Sequence, residues 1–325
     1  MSAKTDQTAI RVENIERRFG EVRAVDDLSF DVARGEILGF LGPNGAGKTT
    51  TIRMMTGALR PDAGRVFLGA SEVRNGSRAV KRQIGLCPQE TVLWERLTCV
   101  ENLALIGSMY EVDRGTLRTR SAELLELLGL NEKARTRAKH LSGGMKKRLN
   151  LAMALVHDPE IVVLDEPITG LDPHSRLRVS ETIRDLCREG GKTVVLSTHL
   201  MEVAEALSDR IAIVDHGKLL VHDRLEALKS TLGGGDVVEL SLEDPKKSEA
   251  AVSVVERLNG VEGIAVRDGR IRFQALGAVG MLPELISRLE GVGATIENLS
   301  LRPNTLEDVF ISLTGRGLRD EQAGT

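Results

Sequence analysis

Ile37-Leu38-Gly39-Phe40-Leu41-Gly42-Pro43-Asn44-Gly45-Ala46-Gly47-Lys48-Thr49-Thr50 carries an apolar run straight into the spacing G-x-x-x-x-G-K-[ST]. The sequence predicts a strand over 37–41 and a helix starting near Lys48, with the glycine-rich turn between them. Glycines let successive backbone N–H groups turn inward as an anion nest, and the helix N-terminus adds its positive end. Lys48 supplies a point charge for the β- and γ-phosphates, and the Thr49 hydroxyl is a ligand for Mg²⁺. Gly42, Pro43, Asn44, Gly45, Ala46, Gly47, Lys48, Thr49 and Thr50 are therefore the candidate nucleotide-binding set. The motif alone does not choose between kinase, GTPase, helicase and transporter ATPase.

Further along, Ile161-Val162-Val163-Leu164-Asp165-Glu166 reads as an apolar strand that delivers two carboxylates at its C-terminal end, where ligands of open α/β sheets collect. Asp165 is placed to hold Mg²⁺, directly or through water. Glu166, one residue on, points elsewhere and is the candidate acceptor for a proton from attacking water. Adjacent acids on a loop are commonly solvated surface charge; the phosphate loop upstream is what favours the catalytic reading.

Leu141-Ser142-Gly143-Gly144-Met145 precedes that acidic pair and resembles the signature motif of the ATP-binding cassette (ABC) ATPases. The family's other marks follow in order. Gln89, after the predicted strand 84–87, resembles the Q-loop residue; Gly170-Leu171-Asp172 resembles the D-loop; His199, after a strand near 194–198, resembles the switch histidine; Phe19 resembles the aromatic that stacks on adenine. The resemblance covers roughly residues 10–229 and implies a P-loop α/β core with an inserted helical subdomain. It also implies MgATP as cofactor, with Thr49, Gln89 and Asp165 around the metal and Lys48, Glu166 and His199 at the hydrolysed phosphate.

In the family, Ser142, Gly143 and Gly144 contact the ATP of a second subunit, so the resemblance implies a head-to-tail homodimer, with Asp172 at the paired sites. Ser142 also reads as the cap of a helix, and the two readings are compatible. Met145 stands where many signatures have glutamine, and Ile168 replaces the threonine usual after Asp-Glu-Pro. Neither change removes a phosphate donor. Met145-Lys146-Lys147-Arg148, Gly170-Leu171-Asp172-Pro173-His174-Ser175-Arg176 and Leu306-Glu307-Asp308-Val309-Phe310 resemble cassettes of the daunorubicin-resistance and nodulation-factor export type. That resemblance implies an exporter driven through a separate polytopic membrane permease, contacted near residues 90–98, from Glu90 through Trp94 to Thr98.

The strand signal disappears between residues 92 and 156, where Cys99–Met109, 117–128 and 145–156 carry helical periodicity; this is the expected helical subdomain. Gly233-Gly234-Gly235 punctuates the chain and separates an ATPase domain over 10–232 from a module over 236–314. The module's predicted order is β-α-β-β-α-β, which points to a ferredoxin-like α+β fold. Residues 1–9 and 315–325 are expected to be flexible ends.

Composition sets limits on the alternatives. In 325 residues, 44 Lys+Arg face 47 Asp+Glu, a net charge of −3 that is unlike a nucleic-acid-seeking surface. Aromatics at 2% disfavour a row of base-stacking rings. Cys87, Cys99 and Cys187 are scattered, without the spacing of a zinc site or a disulfide frame. No apolar run is long enough to span a bilayer and no signal-peptide pattern opens the chain, so the expected place is the cytoplasm, attached to the inner membrane face through the permease. His140, His157, His174, His216 and His222 read as ordinary surface or packed residues. A soluble ABC ATPase acting on ribosomes or DNA is the alternative function. Against it stand the single cassette, the short insertion and the charge balance. A small-molecule kinase or GTPase leaves residues 141–144 and His199 unexplained.

Overall fold

In the computed structural model, which describes residues 7–73, 78–230, 235–267 and 269–314, the chain opens with two long antiparallel strands, β1 (Thr8–Phe19) and β2 (Val22–Ala33). Residues 8 and 9 belong to β1, and Ala9 is buried, which corrects the expectation of a loose end over 1–9 at those two positions. Ile10, Val12 and Ile15 face Val25, Leu28, Phe30 and Val32 in one apolar cluster. The register breaks between Val12 and Ile15, where Asn14 takes a φ of 47° and its amide donates to Asp27 Oδ1 at 2.8 Å. A Cβ at Gly64 would lie 2.2 Å from the Asn14 carbonyl oxygen, so only glycine fits opposite this bulge.

β3 (Ile37–Leu41) leads through the glycine-rich turn into α1 (Lys48–Met55). β4 (Ala63–Leu68), β5 (Ser71–Glu72), α2 (Arg78–Gln83) and β6 (Ile84–Cys87) follow. β1, β2, β4 and β5 form one sheet in the order β2-β1-β4-β5.

Three helices come next: α3 (Cys99–Met109), α4 (Arg114–Leu127) and α5 (Gly143–Leu155). Each starts at a side-chain cap, from Thr98 with Glu101 closing a capping box, from Asp113 and from Ser142. Those caps explain why α4 and α5 begin earlier than their apolar periodicity. Leu103, Leu117, Leu124 and Leu149 join the three helices in a shared apolar cluster.

β7 (Ile161–Asp165), α6 (Pro173–Arg188), β8 (Thr193–Thr198), α7 (Met201–Leu207), β9 (Arg210–Asp215) and β10 (Lys218–Arg224) complete this part. The second sheet has the order β10-β9-β3-β8-β7-β6, and β9, β3, β8, β7 and β6 run parallel. Strands covered on both faces read as continuous apolar runs, as β3 and β7 do. Register pairs Leu41 with Thr198 and Asp165 with Ser197, which brings the C-terminal ends of β3, β7 and β8 to one edge.

The chain divides into two units, one up to Asp223 and one from Arg224 on. The division precedes the expected boundary near Gly233, because α8 (Leu225–Ser230) belongs with the second unit: its Leu228 is buried and the Lys229 carbonyl accepts from Asn304 Nδ2 at 3.1 Å. β11 (Asp236–Leu242), α9 (Ser248–Val255), β12 (Val261–Arg267), β13 (Arg270–Ala275), α10 (Ala278–Gly291) and β14 (Ile296–Arg302) give an antiparallel sheet in the order β12-β13-β11-β14. This is the ferredoxin-like arrangement, cored by Val238, Leu240, Phe273, Leu285 and Leu289. The last helix, α11 (Leu306–Thr314), is pinned by Asp308, whose buried carboxylate accepts from Arg272, Arg302 and Thr305. The expected tail over 315–325 lies outside the described residues, as do residues 1–6.

Candidate active site

The turn after β3 needs its glycines for space as well as for φ. A Cβ on Gly47 (φ 99°) would sit 2.4 Å from the Ala24 carbonyl oxygen, and one on Gly42 would sit 2.3 Å from that of Val214. Lys48 folds back over the turn and donates to Gly42 O at 2.6 Å and Pro43 O at 3.0 Å. Its ammonium is buried, 3.9 Å from Glu166 Oε1. Burial pulls the Lys48 pKa below the ordinary value, and the negative charges of Glu166 and Asp165 oppose that shift.

Asp165 ends β7 with both oxygens engaged. Thr49 Oγ1 donates to Oδ2 at 2.9 Å and Ser197 Oγ donates to Oδ1 at 2.5 Å. Ser197 also accepts the Glu166 backbone N–H, at 3.1 Å on its hydroxyl and 3.2 Å on its carbonyl. Ser197 carries no motif in the sequence; a small polar residue near the end of a buried parallel strand beside an acid-bearing one is the signal that marks it. Glu166 itself has a φ of 50°, a left-handed conformation that costs a non-glycine residue about 1–3 kcal/mol and is held here by those Ser197 bonds. Its carboxylate is 4% exposed, with His199 Nδ1 at 2.9 Å from Oε1 and Thr169 Oγ1 donating to Oε2 at 2.6 Å.

A cleft of about 310 Å³ opens over these groups, lined by Ala24, Pro43, Asn44, Gly45, Gly47, Lys48, Thr49, Thr50, Gln89, Asp165 and Glu166. Gln89 reaches it from the end of β6, where α5 grips the chain: Asn150 Nδ2 donates to Pro88 O at 3.5 Å and lies 3.3 Å from Cys87 Sγ. Complete burial pushes the Cys87 thiol pKa up to about 12. Thr49, Asp165 and Gln89 present hydroxyl, carboxylate and amide oxygens to the cleft, the hard donors that Mg²⁺ takes. Among the described residues no cluster of three His, Cys, Asp or Glu side chains is built to hold a metal unaided.

The remaining candidates stand away from the cleft lining. Ser142 caps α5 by accepting from Met145 N at 3.3 Å, Gly143 is exposed, and a Cβ there would meet nothing within 4 Å. Gly144 packs near Asp172, which caps α6 by accepting from Ser175 N at 3.0 Å. Phe19 is half exposed at the end of β1, with the Arg17 guanidinium 5.0 Å from its ring centroid. Beyond Gln89, the fully buried Asn102 holds Trp94 through both backbone groups, and Lys146 at the start of α5 pairs with Glu95 at 2.9 Å. Val92, Trp94 and Val100 remain exposed around this segment.

The profile of the ABC transporter family matches residues 25–169. The linearmycin resistance ATP-binding protein LnrL of Bacillus subtilis is 36% identical over 313 residues, covering 96% of this chain and 100% of that protein. The daunorubicin resistance ATP-binding protein DrrA3 of Streptomyces coeruleorubidus is 38% identical, covering 97% and 99% respectively. The Nod factor export ATP-binding protein I of Sinorhizobium fredii is 37% identical, covering 98% and 90%. Among solved structures, an ATP-binding subunit of an ABC transporter superposes with a TM-score of 0.65 at 28% identity, over 70% of this chain and 94% of that one. The dimeric structure of a bacterial ABC transporter cassette gives 0.62 at 27% identity, over 66% and 98%. With relatives of this identity matched along nearly their whole length, the chain belongs to the ATP-binding subunits of ABC transporters, ATPases coupled to transport.

Proposed function

We propose that this chain hydrolyses MgATP as a head-to-tail pair with a second copy of itself and drives export through a separate polytopic membrane permease. The observation that carries this reading is the convergence of Lys48, Thr49, Asp165, Glu166 and His199 at one sheet edge, while residues 142–144 lie outside the cleft lining. A signature motif that does not line its own chain's cleft supports a site completed by another copy, and a relative solved as a dimer supports the same arrangement. Export rests on the relatives named for resistance and for Nod factor export. No helix among the described residues is long and apolar enough to cross a membrane, which fits a permease supplied as another chain.

Thr49 and Asp165 would hold Mg²⁺, with Gln89 across the cleft, and the ion when bound neutralises charge on the β- and γ-phosphates. Lys48 exchanges its two loop carbonyls for phosphate oxygens. The backbone N–H groups of the loop take up further charge without reorganisation. Glu166 accepts a proton from the attacking water on its carboxylate, and His199 holds that carboxylate in place from Oε1. Phe19, exposed at the end of β1, offers a ring face for the adenine. Residues 90–98, with Trp94 outward and Asn102 beneath, are the surface for the permease on the cytoplasmic membrane face.

Glu166→Gln tests the catalytic part. It is expected to lower turnover by about a hundredfold or more and to trap an ATP-bound dimer on gel filtration. Wild-type turnover in that variant would remove Glu166 from the mechanism. Co-purification with ribosomes or DNA, instead of with a polytopic membrane protein, would remove the transport reading.

A further inference from the structure

Besides His199, one side chain that lines no part of the 310 Å³ cleft reaches the Glu166 carboxylate, and another reaches that side chain's backbone. Thr169 donates its hydroxyl to Glu166 Oε2 at 2.6 Å. The Thr169 carbonyl in turn accepts from the Nζ of Lys147, on the first turns of α5. Lys147, Gln89 and Glu166 also border one small pocket of about 10 Å³. The loop between is fixed on its other side by Ile168, buried at 2% exposure, and by the turn bond from Leu171 N to Ile168 O at 3.2 Å.

We propose that Thr169 is a positioning residue for ATP hydrolysis, and that Lys147 anchors it from the helix whose first residues carry the signature glycines. The proposal rests on the reading of Glu166 as the general base. A glutamate side chain turns about several bonds, and a base works only when its lone pair points at the water it deprotonates. His199 holds one oxygen and Thr169 the other, so the carboxylate plane is set by two donors from two loops. Removing the hydroxyl lets the plane rotate while leaving phosphate and metal groups untouched. One helix then serves hydrolysis twice, through Lys147 on its own chain's base and through its N-terminus toward the partner's nucleotide.

The test measures steady-state MgATP hydrolysis by the full-length protein carrying Thr169→Val, Thr169→Ser, Lys147→Met, Lys147→Arg or Glu166→Gln. Thr169→Val is expected to lower kcat about tenfold with KM within about twofold of wild type, and Thr169→Ser to restore most of the rate. Lys147→Met is expected to lower kcat about threefold, Lys147→Arg to restore it, and the Thr169→Val/Lys147→Met pair to lose less than the product of the singles. The proposal is overturned if Thr169→Val stays within about twofold of wild type while Glu166→Gln is inactive, or if Thr169→Ser falls as far as Thr169→Val. Full turnover by Glu166→Gln overturns the base assignment instead, so the two failures are distinguishable. Should Thr169→Val fail to fold by its urea transition, the Lys147→Met and Lys147→Arg pair decides by the same kcat criterion.

Discussion

Thr49 and Asp165 stand 116 positions apart in the chain and meet at 2.9 Å, hydroxyl to carboxylate. One comes from the first turn of α1 and the other from the end of β7, so parallel pairing of β3, β8 and β7 is what joins them. The two oxygens that suit a divalent cation are held side by side by the sheet, so little side-chain entropy is spent in bringing them together.

A first prediction concerns sites shared between copies. Lys48→Ala and Ser142→Arg are each expected to be inactive alone. Mixing them in equal amounts should restore about a quarter of wild-type activity, because half the pairs are mixed and each holds one intact site out of two. Recovery is read as phosphate release after mixing. Activity no higher than in the separate variants would show that each chain completes its own site.

Ser197→Ala should act on the fold and the chemistry together. Ser197 is wholly buried, donating to Asp165 and accepting from the Glu166 backbone. Leaving Asp165 a bond short is expected to cost about 2 kcal/mol, seen as a lower urea midpoint, with a reduced kcat for MgATP hydrolysis. An unchanged midpoint would mean that water replaces the hydroxyl.

Acid should loosen the junction between the helical region and the sheet. His157 Nε2 donates to Ile84 O at 3.0 Å, its ring stacks on Tyr110 at 3.8 Å between centroids, and it faces Arg120, Asp158 and Lys192. Burial, the largest influence, holds its pKa below 6.5. The unfolded chain therefore takes up a proton as pH falls through 6.5 before the folded chain does, so stability falls with pH in the window below that value. His222, also depressed by burial, acts in the same direction. Urea midpoints at pH 7.5 and 5.5 should differ less for His157→Asn than for wild type; equal differences would exclude His157 as a source.

In the second unit, Asp308→Ala should release α11. The carboxylate is 1% exposed and accepts from Arg302 at 2.6 and 2.9 Å, from Thr305 N and Oγ1 at 2.9 Å each, and from Arg272. Arg272 and Arg302 are partly solvated, so the loss is discounted to about 2 kcal/mol. Hydrogen exchange over Leu306–Thr314 should speed up, while exchange over β3 and β7 stays as in wild type.

Much of this was legible in the sequence because apolar runs and special residues coincide there. β3, β6 and α3 begin and end where periodicity puts them. β1 and β2 are longer than their apolar cores at 10–12 and 28–32, because pairing continues through charged residues such as the exposed Arg18 and Arg23, which no apolar run marks. The strand order β10-β9-β3-β8-β7-β6 is not written in any local pattern, since crossovers are decided by packing of whole helices. Ser197 and Thr169 leave no mark in the sequence for a related reason: a lone hydroxyl has no periodicity, and its role comes from the acid that register or a turn puts beside it. α8 belongs with the second unit although the glycine run follows it, because Leu228 and the Asn304 bond to Lys229 O, not any local breaker, set its place.

Cys87 gives the molecule a chemical clock. Its thiol is fully buried where Asn150 of α5 meets the end of β6, with its pKa near 12. At neutral pH such a sulfur is neither ionised nor within reach of a maleimide. Separation of α5 from the strand leading to Gln89 would expose it. Alkylation of Cys87, assigned by mass spectrometry against Cys99 and Cys187, which are buried too, therefore reports how often that junction parts, with no label added to the chain.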